Sequence, residues 1–561
     1  MVIKKQYNKL PNGLKLFIRE TWPVFVLLFA ITIEMRHIAN TNWMQLFLYN
    51  GDSLTLAIMK QALLSKTPFI WISSSQFNIF PEGLFYAFSS IITTSIRASI
   101  VFNAYLNIVV LYALTRWVAS GFKNIPNIYK RLFALSCCLL FLFYMILERQ
   151  PQINFTSIAT LFLFNAYYYG VILSGIAILG IMLFQYKYTK YNNRSLVLFV
   201  IGFILSALST FSDPLFAIEF LFPLFITLIV LSVITKINPK KLLLMGLPSL
   251  LGGVVGYEIR KPFNYMIGQS SGNHILTTNI PKTITLFHNI LITYLNNLPG
   301  RIELFLAILF FLFSLVYVVY WIYCQTHKQN NILDERYLML SLLAVLIFIW
   351  AIFFSIASGS GVSRYLTPIL VFPLLGLLPI TEARVLKAHN KLILFIVALI
   401  SLGVIVLGSL SIKQTARLLS SKTYTSPSCL SEALDNKTSY GVGSYWTIRA
   451  LDVYGRTNEQ AVQILPNFIA FPWQISVGEY ENRHFSFVIV NKNASSPINI
   501  SPSDEYLPIK PSKITPCSDF YVYQYAIGSL GYKELNDSID ESTQTILQLR
   551  ANGQLATSRY L

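Results

Sequence analysis

The 561-residue chain has few charged side chains, because Asp, Glu, Lys and Arg make up only 12% of it. Soluble globular proteins carry about 25% charged residues. This shortage excludes a soluble enzyme, and the high apolar content excludes a disordered chain. The five cysteines are too few for a disulfide scaffold in a chain of this length.

Motifs for metal and nucleotide chemistry are missing as well. The six histidines are scattered, and the sequence contains no H-E-x-x-H and no C-x-x-C grouping. It also lacks a P-loop and a G-x-G-x-x-G motif. The sequence therefore offers no signal for a nucleotide cofactor, and its chemistry has to be sought in other residues.

Apolar residues are abundant, at 54% of the chain with a mean hydropathy of +0.55. Apolar runs of about 20 residues recur along residues 1–411, and each is long enough to cross a bilayer as a helix. We predict an all-α polytopic membrane domain with about eleven transmembrane helices plus interfacial helices. The predicted spans lie near residues 21–37, 98–116, 131–148, 166–186, 195–211, 214–235, 241–257, 302–323, 337–357, 364–381 and 391–411.

The net charge of +18 belongs entirely to this membrane part. Residues 412–561 hold 13 basic and 13 acidic groups, whereas residues 1–411 hold 30 basic and 12 acidic groups. A basic excess confined to loops between spans is typical of the positive-inside rule. We therefore expect contact with membrane lipid and no binding of nucleic acid.

The orientation depends on the apolar segment 81–96, which is only 16 residues long and short for a span. If this segment lies at the interface, 20 basic residues face the cytoplasm and 10 lie in outer segments of the membrane part. The prediction is a multi-pass protein with a cytoplasmic N-terminus and its C-terminal region outside. A bacterial plasma membrane with an oxidising periplasm is a natural setting, and an endoplasmic reticulum would also serve.

The C-terminal region, residues 412–561, is a different kind of sequence, with ordinary charge density and frequent Gly and Pro. Strand-like runs at 464–470, 485–491 and 519–525 predict an exported soluble domain of α/β or α+β class. Cys429 and Cys517 are its only cysteines. Outside the cytoplasm they can pair and close a loop of about 90 residues, or remain two buried thiols.

With this topology, several ionisable residues fall at the outer membrane face. Charges near hydrocarbon are costly and often line a cavity or a pathway, although lipid headgroups can also solvate them. The residues of this outer cluster are Asp52, Glu82, Glu148, Asp213, Glu258, Arg260, Lys261 and Arg364.

Asp52 stands in the first outer segment, directly after the turn Asn50-Gly51. Asp52 or Ser53 can cap the helix that follows. The alternation of apolar and polar residues over 54–66 indicates that this helix lies in the membrane interface. Asp52 can also act as a general base at the mouth of a membrane cavity, and the two interpretations are compatible.

The layout of residues 1–411 resembles the GT-C superfamily of membrane glycosyltransferases. It shares a first span that starts inside, an outer aspartate, interfacial helices and a second span ending in a basic cytoplasmic loop. An aromatic-Pro segment also leads into an interfacial helix, followed by an Arg at the next span; here these are Phe80, Pro81, Glu82 and Arg97. Shorter similarities to bacterial members are NAYYYGVILSG (165–175), FSDPLFAI (211–218), GVSRYLTPIL (361–370) and, in the C-terminal region, GVGSYWTIRAL (441–451).

The resemblance implies transfer of a sugar from a polyprenyl-phosphate carrier to a glycan or lipid-linked acceptor outside the membrane. Asp52 would be the base, and Arg364 would hold the lipid phosphate, with a hydrogen bond from Tyr365. Arg260 and Lys261 are second candidates for the phosphate. As alternatives, Arg364 is an interfacial anchor in an aromatic belt, and Arg260 and Lys261 contact lipid headgroups.

Further residues of this resemblance have two interpretations each. Asp213 either orients the acceptor or the base, or forms a tight Ser-Asp-Pro turn. Glu82 either contacts substrate or favours the dipole of the interfacial helix. The aromatic side chains Tyr445, Trp446 and Trp473 either stack on sugar or pack in a core. Some members of the superfamily carry a metal-binding pair of acids in the first loop, but here Asp52 has no D-x-D, so we expect no metal cofactor.

Two other functions compete with this interpretation. A polysaccharide ligase or polymerase usually has its large outer loop between spans, whereas here that loop covers only 258–301 and the large domain is C-terminal. A transporter or flippase of lipid-linked glycan often shows repeated halves and acids near the midplane. The sequence shows no paired halves, and Glu219 is its only acid well inside a predicted span.

Overall fold

The structure is a computed structural model that describes residues 12–65, 67–149, 158–186, 193–235, 237–268, 279–327, 334–359, 363–382, 390–420, 426–434, 439–455, 459–492, 500 and 510–555. The chain divides into two compact units. The first unit comprises Met1–Thr41, Val101–Glu258 and His274–Ala416. The second unit comprises Asn42–Ile100, Ile259–Asn273 and Arg417–Leu561.

Helices dominate the described part of the chain, and the strands are concentrated towards its C-terminal end. The helices are α1 Asn12–Ala39, α2 Trp43–Tyr49, α3 Thr55–Leu64, α4 Leu84–Ile92, α5 Ile96–Ser120, α6 Asn127–Leu147, α7 Tyr169–Gln185, α8 Asn193–Ser212, α9 Phe222–Ile234, α10 Pro239–Arg260, α11 Ile280–Asn296, α12 Leu298–Thr326, α13 Glu335–Ala357, α14 Pro368–Leu375, α15 Asn390–Thr415, α16 Ser426–Ala433, α17 Tyr445–Tyr454 and α18 Leu530–Ala551. The strands are β1 Trp71–Ile72, β2 Ser439–Gly443, β3 Glu459–Gln463, β4 Ile475–Ser476, β5 Phe485–Asn491, β6 Lys513–Pro516 and β7 Phe520–Gln524.

The predicted multi-span helical domain is confirmed. Within the described residues, 10 helices are long and apolar enough to cross a membrane. The remaining predicted span, 166–186, forms α7, a shorter apolar helix of 17 residues. The segment predicted to be interfacial, 81–96, contains the short helix α4 of 9 residues.

Apolar side chains on the surface of the first unit are also typical of a membrane protein. Val233 is 78% exposed, Phe305 is 63% exposed and Leu399 is 60% exposed. Soluble monomers rarely expose contiguous apolar surface of this kind. These helices are therefore suited to contact lipid, and the protein is an integral multi-pass membrane protein.

Packing inside the first unit uses both polar ties and small residues. Arg131 in α6 forms a salt bridge of 2.9 Å with Glu20 in α1. Gly252 and Gly256 in α10 face the backbone of α8 so closely that an added Cβ would lie 2.3 Å and 2.2 Å from carbonyl oxygens there. Small residues at these positions thus allow the two helices to pack closely.

The second unit contains a five-stranded mixed sheet with the strand order β3-β2-β5-β7-β6. Strand β2 pairs in parallel with β3 and β5, and β7 runs antiparallel to β5 and β6. A separate two-stranded sheet pairs Trp71 with Ser476 and Ile72 with Ile475. Residues 42–100 therefore share this unit with the C-terminal strands.

Both faces of the five-stranded sheet are covered, as the alternation within β5 shows. Phe487 and Ile489 belong to one core cluster, with side chains of α16 and α17. Val488 and Val490 belong to the other cluster, which includes side chains of α18. A strand buried on both faces has a continuous apolar sequence, as β5 has over residues 487–490.

The predictions for the C-terminal region are largely confirmed. The runs 485–491 and 519–525 contain β5 and β7, and Cys429 and Cys517 form a disulfide. The strand predicted at 464–470 is wrong. That segment contains a turn closed by a bridge between Ile464 and Ala470, with Phe468 at a φ of 60°.

Candidate functional site

Asp52 lies in the second unit, in the turn between α2 and α3. The side-chain oxygen of Asn50 accepts a hydrogen bond from the Asp52 backbone N–H at 2.9 Å. The predicted cap at Asp52 or Ser53 is wrong, because α3 begins at Thr55 and Leu54 occupies its N-cap position. The apolar residues Leu54, Ile58 and Ala62, on which the prediction of an interfacial helix rests, are buried in the protein.

The half-buried Asp52 side chain is held by a tyrosine from the C-terminal helix α17. The Tyr445 hydroxyl donates to Asp52 Oδ1 at 2.6 Å. Gly51 allows this approach, because an added Cβ would lie only 2.6 Å from the Tyr445 ring. The turn and the tyrosine ring therefore fit together only with glycine at position 51.

Arg449 and Gln474 extend this contact into a buried polar network. Arg449 donates from Nη1 to the Tyr445 hydroxyl at 2.8 Å and from Nη2 to the Gln474 carbonyl at 2.7 Å. The Gln474 side-chain oxygen accepts a hydrogen bond from the Thr55 hydroxyl at 2.6 Å. We call Asp52, Tyr445, Arg449, Gln474 and Thr55 the Asp52 network.

Burial determines the protonation of the tyrosine in this network. Tyr445 is 1% exposed, and burial raises the pKa of its hydroxyl well above the usual value. The phenol therefore stays protonated at neutral pH and donates to the carboxylate. Asp452 lies farther along α17, and burial raises the pKa of its carboxyl to about 6.

Arg97 contacts the ring of Tyr454, the last residue of α17. Its guanidinium is 4.2 Å from the centre of the Tyr454 ring and 5.6 Å from that of Tyr49. Tyr49 and Tyr454 also contact each other edge to face, with ring centres 5.5 Å apart. The arginine that the family resemblance identifies is thus stabilised by cation–π contacts with two tyrosines.

Arg260 and Lys261 also belong to the second unit but have different surroundings. Arg260 is buried, donates to the Ser75 carbonyl, and lies 4.2 Å from the centre of the Phe77 ring. These contacts anchor the backbone around residue 75. Lys261 is exposed at the edge of a cavity of about 620 Å³.

The cavity beside Lys261 has a positive lining. Arg550, at the end of α18, contributes a second cation and lies 4.9 Å from the centre of the Tyr265 ring. Among the described residues that line the cavity there is no Asp or Glu. Two cations from distant parts of the chain thus converge on a space that suits an anion.

Glu82 is buried within the turn Ile79–Gly83, where the Phe80–Pro81 peptide bond is cis. The helix α4 begins only at Leu84. Glu82 is 2% exposed, so its carboxyl is not at the surface of the second unit.

Arg364 and Tyr365 lie in the first unit, where a group of aromatic rings surrounds them. The Arg364 guanidinium is 5.0 Å from the centre of the Tyr168 ring and 5.6 Å from that of Tyr167. Tyr365 contacts Tyr168 edge to face, with ring centres 5.6 Å apart. The two motifs that suggested the resemblance, at 165–175 and 361–370, therefore meet within one unit.

Asp213 and Glu148 have clear structural tasks in the same unit. Asp213 Oδ1 accepts from the Leu215 N–H at 3.0 Å, which is the turn predicted for Ser-Asp-Pro. Glu148 accepts backbone hydrogen bonds from residues 158–160 at distances of 2.5 to 2.8 Å.

The sequence search for relatives gives no further assignment. No protein-family model matches the chain, and no curated protein matches it. Within the described residues, no group of three or more His, Cys, Asp or Glu side chains could hold a metal ion.

The main participants that the sequence did not reveal are Arg449 and Gln474, together with the role of Tyr445. The segment 441–451 was recognised as a motif, but the sequence did not indicate that its Tyr445 contacts Asp52. The hydrogen bond between Tyr445 and Asp52 joins residues 393 positions apart. The one local signal was an arginine between the apolar residues Ile448 and Ala450, which indicates a buried cation with polar partners.

Proposed function

We propose that this protein is an integral-membrane glycosyltransferase that acts outside the cytoplasm. It moves a sugar from a polyprenyl-phosphate carrier to a glycan or lipid-linked acceptor of the cell envelope. In this proposal the N-terminus is cytoplasmic and the membrane is the plasma membrane of a bacterium. The multi-span fold and the disulfide between Cys429 and Cys517 support this location, since disulfides persist in oxidising compartments.

The arrangement around Asp52 carries the proposal. The carboxyl is half-buried, and one oxygen accepts a hydrogen bond from Tyr445. Such a hydrogen bond fixes the direction of the carboxyl group, and a general base has to be positioned within reach of the proton that it takes. Asp52 would take the proton of the acceptor hydroxyl while the acceptor oxygen bonds to the anomeric carbon of the donor.

The bond that breaks in this step joins the anomeric carbon to the carrier phosphate. Its electron pair stays on the phosphate oxygen, so cations near the departing phosphate stabilise the transition state. Arg364 is the first candidate, with Tyr365 as a neighbouring hydroxyl donor. Lys261, with Arg550 at the cavity, is the second candidate. Arg260 has a supporting task here, because it binds the Ser75 carbonyl.

The proposal is tested with the purified protein in lipid nanodiscs and radiolabelled polyprenyl-phosphate-linked sugars. We expect donor-dependent transfer to a glycan or lipid-linked acceptor, with release of polyprenyl phosphate. Arg364→Ala should weaken donor affinity by about 10- to 100-fold, the effect of losing one charge-assisted hydrogen bond. Arg301→Ala removes an exposed arginine of the same unit and serves as the matched control.

A parallel comparison decides between the two candidate phosphate sites. If Lys261→Ala weakens donor binding and Arg364→Ala does not, the phosphate contacts the cavity of the second unit. Absence of binding to every polyprenyl-phosphate sugar would contradict the proposed function and favour a ligase or a transporter.

A further inference from the structure

The Asp52 network contains a cation that is costly to bury. Arg449 is 2% exposed, and the removal of a guanidinium from water is energetically costly. Its guanidinium donates hydrogen bonds to the Tyr445 hydroxyl, to the Gln474 carbonyl and, at 3.4 Å, to the Gln474 side chain. An apolar side chain would fill this position without that cost, so the buried cation indicates a specific role for Arg449.

The direction of the hydrogen bonds suggests that reason. The guanidinium donates to the oxygen of Tyr445, so the phenol directs its own proton elsewhere. Two acceptors lie within reach, Asp52 Oδ1 at 2.6 Å and Gln474 Oε1 at 3.1 Å, and the shorter, charge-assisted bond goes to Asp52. A cation on the oxygen side polarises the hydroxyl and strengthens the bond it donates. Arg449 therefore acts on Asp52 through Tyr445.

Gln474 keeps this chain of donors in place. Its backbone carbonyl holds Nη2 of Arg449, and its side chain contacts the Thr55 and Ser74 hydroxyls at 2.6 Å and 3.2 Å. Thr55 is the first residue of α3, three positions after Asp52. The C-terminal region thus holds both the carboxyl group and the start of the helix that follows it.

We propose that Tyr445 and Arg449 are positioning residues that orient the Asp52 carboxyl, so that the C-terminal region is an essential part of the catalytic site. This inference rests on the proposed function for its catalytic meaning. Its physical core is the hydrogen bond from the Tyr445 hydroxyl to Asp52, and that bond can be tested without any turnover.

The catalytic test compares Tyr445→Phe with Tyr480→Phe in full-length protein. Each variant loses one phenolic hydroxyl that is buried to 1% exposure, but Tyr480 donates to the Gln463 carbonyl and not to Asp52. In Tyr445→Phe, we expect the acidic limb of the turnover profile to move up by about one pH unit. That shift corresponds to about a tenfold loss of turnover on this limb.

Further measurements in the same experiment distinguish a positioning role of Tyr445 from a general loss of stability. The apparent KM for the donor should stay unchanged in Tyr445→Phe, and Tyr480→Phe should retain the wild-type profile. Arg449→Lys keeps a charge and should lose less turnover than Arg449→Met. Equal profiles for Tyr445→Phe and wild type would overturn the inference, as would equal shifts in both tyrosine variants.

The second test measures the protonation of Asp52 directly. A carbodiimide with a glycine ester labels protonated carboxyls, and mass spectrometry of the Asp52 peptide gives the extent of labelling at each pH. The labelling midpoint should rise by about one pH unit in Tyr445→Phe and stay constant in Tyr480→Phe. An unchanged midpoint in Tyr445→Phe would overturn the inference.

The two tests distinguish the two possible failures. If the wild-type protein transfers no sugar but the labelling midpoint shifts as expected, the proposed function fails and Tyr445 still controls Asp52. If transfer depends on Asp52 but neither the profile nor the midpoint responds to Tyr445, the function stands and the inference fails.

Discussion

At the scale of single residues, Gly51 leaves the space that the Tyr445 ring needs beside the candidate base Asp52. A Cβ at this position would lie 2.6 Å from Cε1 of Tyr445 and 3.0 Å from Cζ. Gly51→Ala should therefore push the tyrosine away from Asp52. We expect a loss of about 1–3 kcal/mol in the free energy of unfolding, as for other overpacked sites, and a strong loss of transfer.

Thermal and chemical unfolding of the detergent-solubilised protein measures this effect. The matched control is Gly403→Ala in α15, where an added Cβ meets nothing within 4 Å. Because alanine is a better helix former, this control should be neutral or stabilising by about 0.5–1 kcal/mol. If both variants behave alike, the fit between Gly51 and Tyr445 has no energetic importance.

Several residue assignments followed from local sequence, and others could not. The turn at Asp213 was predictable because Ser-Asp-Pro sets its own backbone geometry. The environment of Asp52 was not, because its partner Tyr445 comes from a helix almost 400 residues later in the chain. The capping prediction failed since the turn continues for two residues beyond Asp52 before α3 begins.

At the scale of elements, α17 concentrates the polar groups of the candidate site on one side. Tyr445, Arg449 and Asp452 follow the spacing i, i+4, i+7, which places them on one helix face. Asp452 Oδ1 accepts from the Ala461 N–H at 3.3 Å, so this face also ties the helix to β3. The protonation of Asp452 should consequently affect the stability of the second unit.

This effect has a definite sign. Burial raises the pKa of Asp452 to about 6 in the folded protein, whereas an unfolded aspartate titrates near about 3.9. Between these values the native state holds more protons, so the stability contribution falls as pH rises from about 4 to about 6. Asp452→Asn should abolish this loss and raise the unfolding temperature at pH 7 relative to wild type.

The measurement is the unfolding temperature of wild type and Asp452→Asn at several values between pH 4 and pH 7. Asp537→Asn, which alters an exposed acid of α18, is the control. A constant difference between wild type and Asp452→Asn across the whole range would contradict the assignment.

Elements differ in how well sequence alone predicts them. Long apolar spans were predictable because nothing but a membrane or a buried core accommodates them. Strand β5 was predictable because both of its faces are buried. The segment 464–470 has comparable hydrophobicity, but Pro466 and Asn467 interrupt it, and it folds as a turn.

At the scale of the whole molecule, the parity of the spans determines the orientation. Ten crossings would return the chain to the side on which it began, whereas eleven place its ends on opposite sides. The helix α7 therefore decides the topology, with 17 residues or about 26 Å of helix against about 30 Å of hydrocarbon. The proposed orientation requires that α7 crosses the membrane.

Labelling of single cysteines tests this orientation. Lys123→Cys lies in the loop between α5 and α6, and Ile527→Cys lies in the C-terminal region at a position that is 84% exposed in the wild type. A membrane-impermeant maleimide added to intact cells should modify position 527 and spare position 123 until the cells are opened. Modification of both positions from the same side would contradict the orientation and place Asp52 in a different compartment.

The most direct test of the central claim is transfer by Asp52→Asn with donor already bound. Binding of a radiolabelled polyprenyl-phosphate sugar is measured first, and acceptor is then added to the same nanodiscs. We predict donor binding within about threefold of wild type and a loss of transfer of at least about 100-fold, since a positioned base contributes about 10²–10⁴-fold. Transfer by Asp52→Asn at the wild-type rate would contradict the assignment of Asp52 as the base.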